Sequence, residues 1–174
     1  MMPSSVHPTG RERTWGEEEI IVSKTDLKGI ITYANRTFLR VSGYSEEELL
    51  GAPHSIIRHP DMPRCVFKLL WDTIQAEREI FAYVKNMCKN GDHYWVFAHV
   101  TPTFDGSHRV TGYHSNRRCP DRHQVQVFDG LYRQLLAQEK KAPDWRTGMN
   151  AATEMLLNVL AAKKVTYDEF VFSV

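Results

Sequence analysis

The sequence predicts an α+β domain in which antiparallel strands carry most of the core. Two short β-branched runs flank a turn near the start, and three longer β-rich runs, separated by tight turns, follow residue 79. Segments with helical spacing of apolar residues lie between and after these two groups. Because strands joined by tight turns pair as antiparallel neighbours, the later group is expected to form a meander.

The beginning of the chain divides into an arm and a hairpin. Residues 1–19 are polar and mixed in charge, and we interpret them as an arm or a short cap helix. From Ile20 the pattern changes, with β-branched runs at residues 20–23 and 30–34 on either side of a turn. This arrangement is typical of a β-hairpin.

Two helices are predicted before the second group of strands. Ser45 and Glu48 have the spacing of a capping box, which predicts a short helix that Gly51 ends. Residues 64–76 place large apolar side chains at helical intervals, Trp71 among them, and predict a longer amphipathic helix.

The second group of strands is predicted from β-rich runs and the turns between them. The runs cover residues 80–89, 93–104 and 109–117. The dipeptide Asn90-Gly91 joins the first two runs, and Asn-Gly favours the tightest hairpin turns because both of its residues tolerate positive φ. The domain is therefore expected to span residues 20–117.

The remainder of the chain is predicted to be largely helical. An amphipathic helix falls within residues 118–141, and residues 138–148 are interpreted as a linker. A helical extension occupies residues 142–174, with Asn150 as the N-cap of its helix. The last ten residues, 165–174, fit either a strand or a helix.

Composition limits the classes of function. The 174 residues are 42% hydrophobic and 25% charged, with a formal net charge of +1. Without clustered basic charge, binding to nucleic acid is not expected, and no apolar run approaches the roughly 20 residues of a membrane span. Three widely spaced cysteines do not indicate a disulfide framework. These features favour a soluble, cytoplasmic protein.

Several enzyme signatures are missing from the sequence. It contains no dinucleotide-binding glycine fingerprint, no P-loop, no zinc motif of the His-Glu-x-x-His or Cys-x-x-Cys type and no Gly-x-Ser-x-Gly elbow. A hydrolytic or nucleotide-using enzyme is therefore not expected, and no metal site is predicted.

One loop combines rigidity with polar side chains. The segment Arg58-His59-Pro60-Asp61-Met62-Pro63 holds two prolines, which restrict its backbone. A guanidinium fork, an imidazole and a carboxylate held in place can bind the polar or phosphate-bearing edge of a ligand. The same pattern also fits Asp61 as a helix cap, with Arg58 and His59 in solvent.

Two asparagines are further candidates for ligand contact. Asn35 follows a predicted strand, and Asn86 lies inside one, where asparagine is disfavoured. An inward-facing asparagine needs hydrogen-bond partners, and a heteroaromatic ring with donors and acceptors supplies them. An outward-facing asparagine is simply solvated, and the pattern does not distinguish the two.

The motifs together resemble those of a known family. Residues 20–117 resemble a PAS domain, specifically the FAD-binding PAS domain of bacterial aerotaxis receptors. Asn-x-x-Phe at residues 35–38, followed by a Gly-Tyr pair, is generic to PAS domains. The Arg-His-Pro-Asp-Met-Pro and Asn-Gly-Asp-His-Tyr-Trp blocks are far more specific to the aerotaxis branch.

The resemblance implies both a fold and a ligand. PAS domains of this type form a five-stranded antiparallel sheet with helices over one face, and FAD lies between the two. Arg58, His59 and Asp61 fall where the family surrounds or supports its FAD. Asn35 and Asn86 match positions close to the pocket.

Two positions affect how a flavin would bind. One is on the helix before the third strand, and the other is at the start of that strand. We add Trp71 as a cavity-facing residue of the predicted helix, although core packing explains it equally well. Aerotaxis receptors have a tryptophan shortly before their Val-Lys-Asn block, where this chain has Ile80 followed by Phe81. Loss of that stacking surface costs about 1 kcal/mol, so FAD binding is expected to be weaker, reshaped around Phe81, or lost.

The resulting hypothesis is a sensor rather than an enzyme. The receptors continue into a membrane anchor and a signalling domain that this sequence does not show, so we expect a stand-alone sensor of redox, oxygen or energy state. It would signal through a partner protein or a homodimer. The alternatives are a cofactor-free interaction module and a haem-binding oxygen sensor with His54 or His59 as ligand. A blue-light sensor is disfavoured because Cys65 falls too late in the sequence.

Overall fold

A computed structural model describes residues 6–174, and in these residues five strands form one antiparallel sheet. The order across the sheet is β2-β1-β5-β4-β3, so the first hairpin joins the later meander through β1 and β5. This is the predicted fold class, and both predicted strand groups are confirmed. The strands are β1 Ile21–Thr25, β2 Ile31–Ala34, β3 Ile80–Met87, β4 His93–Phe104 and β5 Val110–Arg118.

The helices divide between the two faces of the sheet. The inner face carries α1 (Arg36–Ser42), α2 (Glu46–Leu49), a 3₁₀ helix (His54–Ile57) and α3 (Arg64–Gln75). The later helices are α4 (Arg122–Lys140), α5 (Trp145–Lys163) and α6 (Tyr167–Ser173). Helices α4 and α6 cover the outer face at β3 and β4, and α5 packs on both α4 and α3.

The alternation of side chains along β3 and β4 decides what each face contacts. Val84 and Ala98 point inward and line a cavity beside α3. Tyr83 points outward, and its ring centroid lies 4.3 Å from that of Phe128 on α4. Successive strand residues face opposite sides, so one strand contributes both to the cavity and to the packing of the C-terminal helices.

The N-terminal arm is extended where it is described. Arg13 donates its amide hydrogen to the carbonyl of His93 at 2.7 Å, and the amide of His93 donates to the carbonyl of Arg11 at 2.9 Å. Trp15 is buried, and its indole N–H donates to the carbonyl of Trp95 at 3.4 Å. The arm therefore lies against the start of β4, while residues 1–5 fall outside the described part.

The predicted linker at residues 138–148 is mostly helical, which corrects the interpretation of that segment. Helix α4 continues to Lys140 and α5 begins at Trp145. The N-cap of α5 is Asp144 rather than Asn150, and its carboxylate accepts from the amides of Arg146 and Thr147. Proline is compatible with a position just ahead of an N-cap, so Pro143 marks the helix start and not a long break.

A capping box also settles the conformation of the last ten residues. Thr166 accepts from the amide of Glu169, and the Glu169 carboxylate accepts from the amide of Thr166. The segment is therefore a helix, as at Ser45 and Glu48, where the predicted capping box is confirmed. None of the helices within residues 6–174 has both the length and the apolar character that a membrane span requires.

Candidate functional site

A cavity of about 560 Å³ lies between the inner face of the sheet and helix α3. Strands β1, β3, β4 and β5 form one wall, and α3 forms the other through Phe67, Leu70 and Trp71. Trp145 and Met149 at the start of α5 complete the lining. Pockets that enclose small organic ligands span roughly 300–1,000 Å³, so the cavity has the size of a ligand site.

Aromatic side chains give the cavity an apolar wall. The ring of Trp71 meets that of Tyr113 edge to face, with centroids 5.7 Å apart. Gly29 lies against the same indole: a Cβ at Gly29 would stand 3.1 Å from two ring atoms, and its φ of +80° further favours glycine. Trp71 is therefore held in place on both sides, and its indole forms part of the cavity wall.

Basic side chains surround the same cavity. Lys28, Arg58, Arg64 and Lys68 all contribute to the lining, and Asp72 is the one carboxylate among the lining residues that the structure describes. Asp72 already forms an ion pair with Lys68. An excess of positive charge thus faces the cavity, and such an excess favours an anionic ligand.

Arg58 links this basic rim to the sheet. Its backbone forms a β-bridge with Asn86, and its guanidinium lies over the ring of Phe67 at 4.3 Å from the centroid. Burial and the nearby charge of Arg64 lower the pKa of Arg58, although the carboxylate of Glu139 opposes them. The guanidinium is therefore fixed above an aromatic ring and beside a buried amide.

A cluster of three linked polar side chains lies at the sheet side of the cavity. Arg117 donates through Nη2 to the hydroxyl of Ser23 at 2.5 Å, and Ser23 Oγ lies 3.1 Å from Nε2 of His54. Because Ser23 accepts from Arg117, its own hydrogen is available for His54. Burial and the charge of Arg117 lower the pKa of His54 to about 3, so its imidazole is neutral at pH 7.

Three of the residues predicted from the sequence line the cavity. Arg58, Trp71 and Asn86 come from the 3₁₀ helix end, α3 and β3, and the fold brings them together around one space. Asn86 is 5% exposed and faces inward. The inward orientation, which the sequence left open, is therefore the one that the structure has.

His59 and Asp61 stabilise the loop next to the cavity and do not line it. His59 is buried, and its Nδ1 accepts from the amide of Asp61 at 3.0 Å. Burial lowers its pKa to about 4, with a further contribution from the charge of Lys85. Asp61 accepts from Lys85 Nζ at 2.7 Å and does not cap α3, whose N-cap position is Pro63. These contacts fix the loop that presents Arg58.

Asn35 also has a supporting position. Its Oδ1 accepts from the amides of Val22 and Phe38, both at 3.0 Å, and its Nδ2 donates to the carbonyl of Ile20 at 2.8 Å. It is the N-cap of α1 and ties that helix to β1. Apart from one Nδ2 hydrogen, the polar atoms of this side-chain amide all form hydrogen bonds within the protein. Asn35 does not line the cavity.

Phe81 and Ile80 differ in the face that they occupy. Phe81 points to the outer face, where its ring stacks on His99 with centroids 4.1 Å apart. Ile80 points inward and packs with Ile74 and Tyr113 in a small apolar cluster that also contacts Trp71. The structure therefore places Trp71, and not Phe81, as an aromatic wall of the cavity.

The sequence did not single out Arg117, Ser23, Phe67 or Tyr113 as lining residues. Arg117 and Arg118 are adjacent on β5, and strand alternation requires one of them to face inward. That signal was available, although it does not say which arginine is buried. The lining by the start of α5 depends on how the C-terminal helices fold back, which no local pattern encodes.

In the described part of the chain, no cysteine lines the cavity and no cluster of side chains is arranged as a metal site. Cys65 lies outside the cavity lining, and burial raises the pKa of its thiol to about 12. Within residues 6–174 no group of three or more His, Cys, Asp or Glu side chains is arranged to hold a metal ion.

Comparison with known proteins agrees with this architecture. The family model described as "PAS fold" matches residues 31–117, half of the chain. The aerotaxis receptor of Escherichia coli is 38% identical over 136 residues, which are 78% of this chain and 27% of the receptor. A nitrogen fixation regulatory protein of Klebsiella pneumoniae is 26% identical over 102 residues, 59% of this chain and 21% of that protein. The chain thus spans about a fifth to a quarter of the length of these relatives.

Solved structures show the same fold at low sequence identity. A light-oxygen-voltage domain described with a flavin analogue has a TM-score of 0.56 at 19% identity, covering 63% of this chain and 82% of its own. The dark structure of the blue-light photoreceptor Aureochrome1 LOV has a TM-score of 0.52 at 22% identity, covering 70% and 83%. The resemblance inferred from the sequence motifs is confirmed, and the chain belongs to the PAS family.

Proposed function

We propose that this protein is a PAS sensor that binds FAD in the cavity between the sheet and α3. The observation that carries the proposal is the meeting of an aromatic wall and a basic rim around one cavity of about 560 Å³. An isoalloxazine ring is flat and apolar with one polar edge, and FAD adds a diphosphate. The lining offers a chemical partner for each of these parts.

Each lining residue has a distinct task in this proposal. Trp71 packs against the apolar ring, and the amide of Asn86 donates to or accepts from its polar edge. Arg58, fixed over Phe67, binds phosphate oxygens with its planar fork. Trp145 and Met149 of α5 limit the entry of water beside the basic rim. The bound flavin supplies reversible electron transfer, and the protein supplies its position.

The choice of FAD over a smaller flavin rests on the basic rim. Lys28, Arg58 and Arg64 lack a paired carboxylate within the described lining, and a diphosphate neutralises more of this charge than a single phosphate. The resemblance of residues 20–117 to the FAD-binding PAS domains of aerotaxis receptors is a second reason for this choice. Affinity is therefore expected to increase from riboflavin to FMN to FAD, with a difference that added salt reduces.

The redox state is proposed to reach a partner through the outer helices. Asn86 lines the cavity, while the backbone carbonyl of Tyr83 on the same strand accepts from the phenol of Tyr132 on α4 at 2.5 Å. A change in the hydrogen bonding of Asn86 alters the twist of β3 and therefore shifts the position of α4 on the sheet. A signalling partner or a second copy of the chain would contact the exposed surface of α4–α6. Nothing in this scheme requires a catalytic residue.

A cofactor-free interaction module is the second candidate. The exposed side chains of Leu157 on α5 and Phe172 on α6 favour it, because apolar groups on a surface are suited to protein contacts. The haem hypothesis has less support. His54 lines the cavity, but its Nε2 is engaged by Ser23, and His59 does not line the cavity.

The absorption spectrum of the freshly purified protein tests the proposal. We expect flavin bands that bleach on reduction and a released chromophore that chromatography identifies as FAD. A Soret band would support the haem alternative instead. A colourless protein that takes up no added FAD would contradict the proposal and leave the interaction module.

A further inference from the structure

Arg117 is a buried cation that lacks a counter-ion. The residue is 2% exposed, and only Nη2 has a hydrogen-bond acceptor, the Ser23 hydroxyl. Nε and Nη1 are buried without a partner in the described part of the chain, where no carboxylate pairs with this guanidinium. Burying an unpaired charge and unmet donors costs several kcal/mol, so the arrangement needs a reason.

The groups around Arg117 are all uncharged and do not cancel its charge. The guanidinium carbon lies 4.4 Å from the ring centroid of Phe38, and the buried phenol of Tyr94 is nearby. His54 shares Ser23 with it and is neutral at pH 7. Burial lowers the pKa of Arg117 to about 10, which still leaves it charged at neutral pH. The face of an aromatic ring offsets only part of such a charge.

The position of Arg117 points to the cavity as the source of its missing partner. Arg117 and Ser23 line the cavity on the wall formed by the sheet, and His54 lines it from the 3₁₀ helix. The unpartnered Nε and Nη1 of this planar guanidinium direct their hydrogens to different sides, so either nitrogen can donate to an acceptor atom of a ligand, such as a carboxylate oxygen or the carbonyl oxygen of a pyrimidinedione. The rest of the side chain is held by Ser23 and Phe38, so the fork is fixed before any ligand enters.

We propose that Arg117 donates to the electron-rich edge of the cavity ligand from one of its unpartnered nitrogens, Nε or Nη1, and balances the negative charge of that edge. If the ligand is a flavin, as in the proposed function on which this inference rests, the edge is the one that carries N1 and the C2 carbonyl. The charge of Arg117 then stabilises the reduced, more negative form of the flavin over the oxidised form. This role adds a ligand contact that none of the sequence motifs indicated.

Substitution of Arg117 and of its neighbour tests the contact. Arg117→Met removes both charge and donors and keeps an unbranched side chain as long as the Cβ–Nε part of arginine, and Arg117→Lys keeps the charge without the planar group. Arg118→Met is the matched control, since Arg118 is exposed on the opposite face of the same strand. Titration with FAD, followed by flavin fluorescence, is expected to give at least tenfold weaker binding for Arg117→Met. The loss should be smaller for Arg117→Lys, and Arg118→Met should bind within twofold of the wild type.

Two further measurements separate a ligand contact from a merely structural role. The midpoint potential of bound FAD should become more negative in Arg117→Met and stay unchanged in Arg118→Met. After the flavin is removed, Arg117→Met should melt at the same temperature as the wild type or above it, because an uncompensated buried charge is gone. A lower melting temperature for ligand-free Arg117→Met, or unchanged FAD affinity and potential, would overturn the inference.

The outcomes distinguish this inference from the proposed function. A wild-type chain that binds no flavin contradicts the proposed function. In that case the stability of ligand-free Arg117→Met still tests whether Arg117 needs an acceptor from a ligand. A higher melting temperature than that of the wild type supports this need, and a lower one overturns it. A wild-type chain that binds FAD with a potential insensitive to residue 117 keeps the proposed function and refutes the inference.

Discussion

Glu139 on α4 accepts a hydrogen bond from the backbone amide of Cys65 at 2.9 Å. Cys65 is in the first turn of α3, whose N-cap position, Pro63, has no side chain able to accept. Glu139 therefore satisfies an amide of the first turn of α3, which is normally the role of an N-cap side chain next to the helix in sequence. The bond joins the helix that forms a cavity wall to a helix of the opposite face.

Replacing Glu139 should weaken this connection. Glu139→Ala leaves the Cys65 amide without its acceptor, and we expect the free energy of unfolding to fall by about 1–2 kcal/mol. Urea denaturation followed by circular dichroism measures the change. Glu154→Ala, at an exposed position of α5, is the control and should change stability by less than about 0.5 kcal/mol. Equal losses in the two variants would contradict the assignment.

Two glycines in the C-terminal helices should respond to alanine in opposite directions. A Cβ at Gly148 would stand 2.3 Å from the carbonyl oxygen of Glu139, so Gly148→Ala forces α5 away from α4. A Cβ at Gly130 meets nothing within 4 Å, so Gly130→Ala adds only helix propensity. We expect a loss of about 2 kcal/mol for the first and a gain of about 0.5–1 kcal/mol for the second. Thermal denaturation compares them, and a stabilised Gly148→Ala would refute the close contact.

The neutral state of His54 should make stability depend on pH. Burial lowers its pKa from 6.5 to about 3, so between these values the unfolded chain binds the proton and the folded chain does not. The contribution is fully present above pH 6.5 and is lost as the pH falls from there towards 3. The unfolding free energy should decline by up to about 1.4 kcal/mol per pH unit from this one site.

A glutamine at residue 54 removes that titration. The unfolding free energy of His54→Gln, measured by urea denaturation from pH 7 to pH 4, should decline less steeply than that of the wild type. His123→Gln, which alters an exposed histidine of α4, should keep the wild-type slope. Parallel slopes for the wild type and His54→Gln would show that the folded protein accepts the proton.

The aromatic side chains at residues 71 and 81 should differ in their effect on ligand binding. Trp71 lines the cavity and Phe81 lies on the outer face, so only the first can stack on a ligand there. We expect Trp71→Leu to weaken FAD binding by about fivefold to tenfold, as loss of an aromatic stack does. Phe81→Leu should bind within twofold of the wild type. Fluorescence titration decides, and a larger loss at Phe81 would place the ligand on the other face.

The elements with local signals were predictable from the sequence. The capping box at Ser45 and Glu48, the Asn90-Gly91 turn and the apolar period of α3 depend on residues within a few positions of one another. The boundary between α4 and α5 was not predictable in the same way. The sequence around Pro143 resembles a linker, but Asp144 caps α5 directly after this proline, and the tight packing at Gly148 brings the two helices together.

The candidate site was predicted in part, and strand geometry explains the rest. Asn86 and Phe81 are five residues apart on β3, an odd separation that puts them on opposite faces. The chemistry of His59 and Asp61 suits a ligand, yet in this loop both side chains form the hydrogen bonds that stabilise the loop itself. The inward orientation of Arg117 depends on the pairing of β5 with β1 and β4, which joins residues far apart in the sequence.

The two-sided character of β3 has a consequence for how such a protein diversifies. Val84 and Asn86 are exposed to whatever occupies the cavity, whereas Tyr83 and Phe81 belong to the surface that carries the outer helices. Under the proposed function, alternating positions of this one strand of eight residues would determine ligand preference and choice of partner. A single substitution at an inward position would then change ligand preference without affecting the outward positions. A substitution at an outward position would change the partner surface without affecting the cavity.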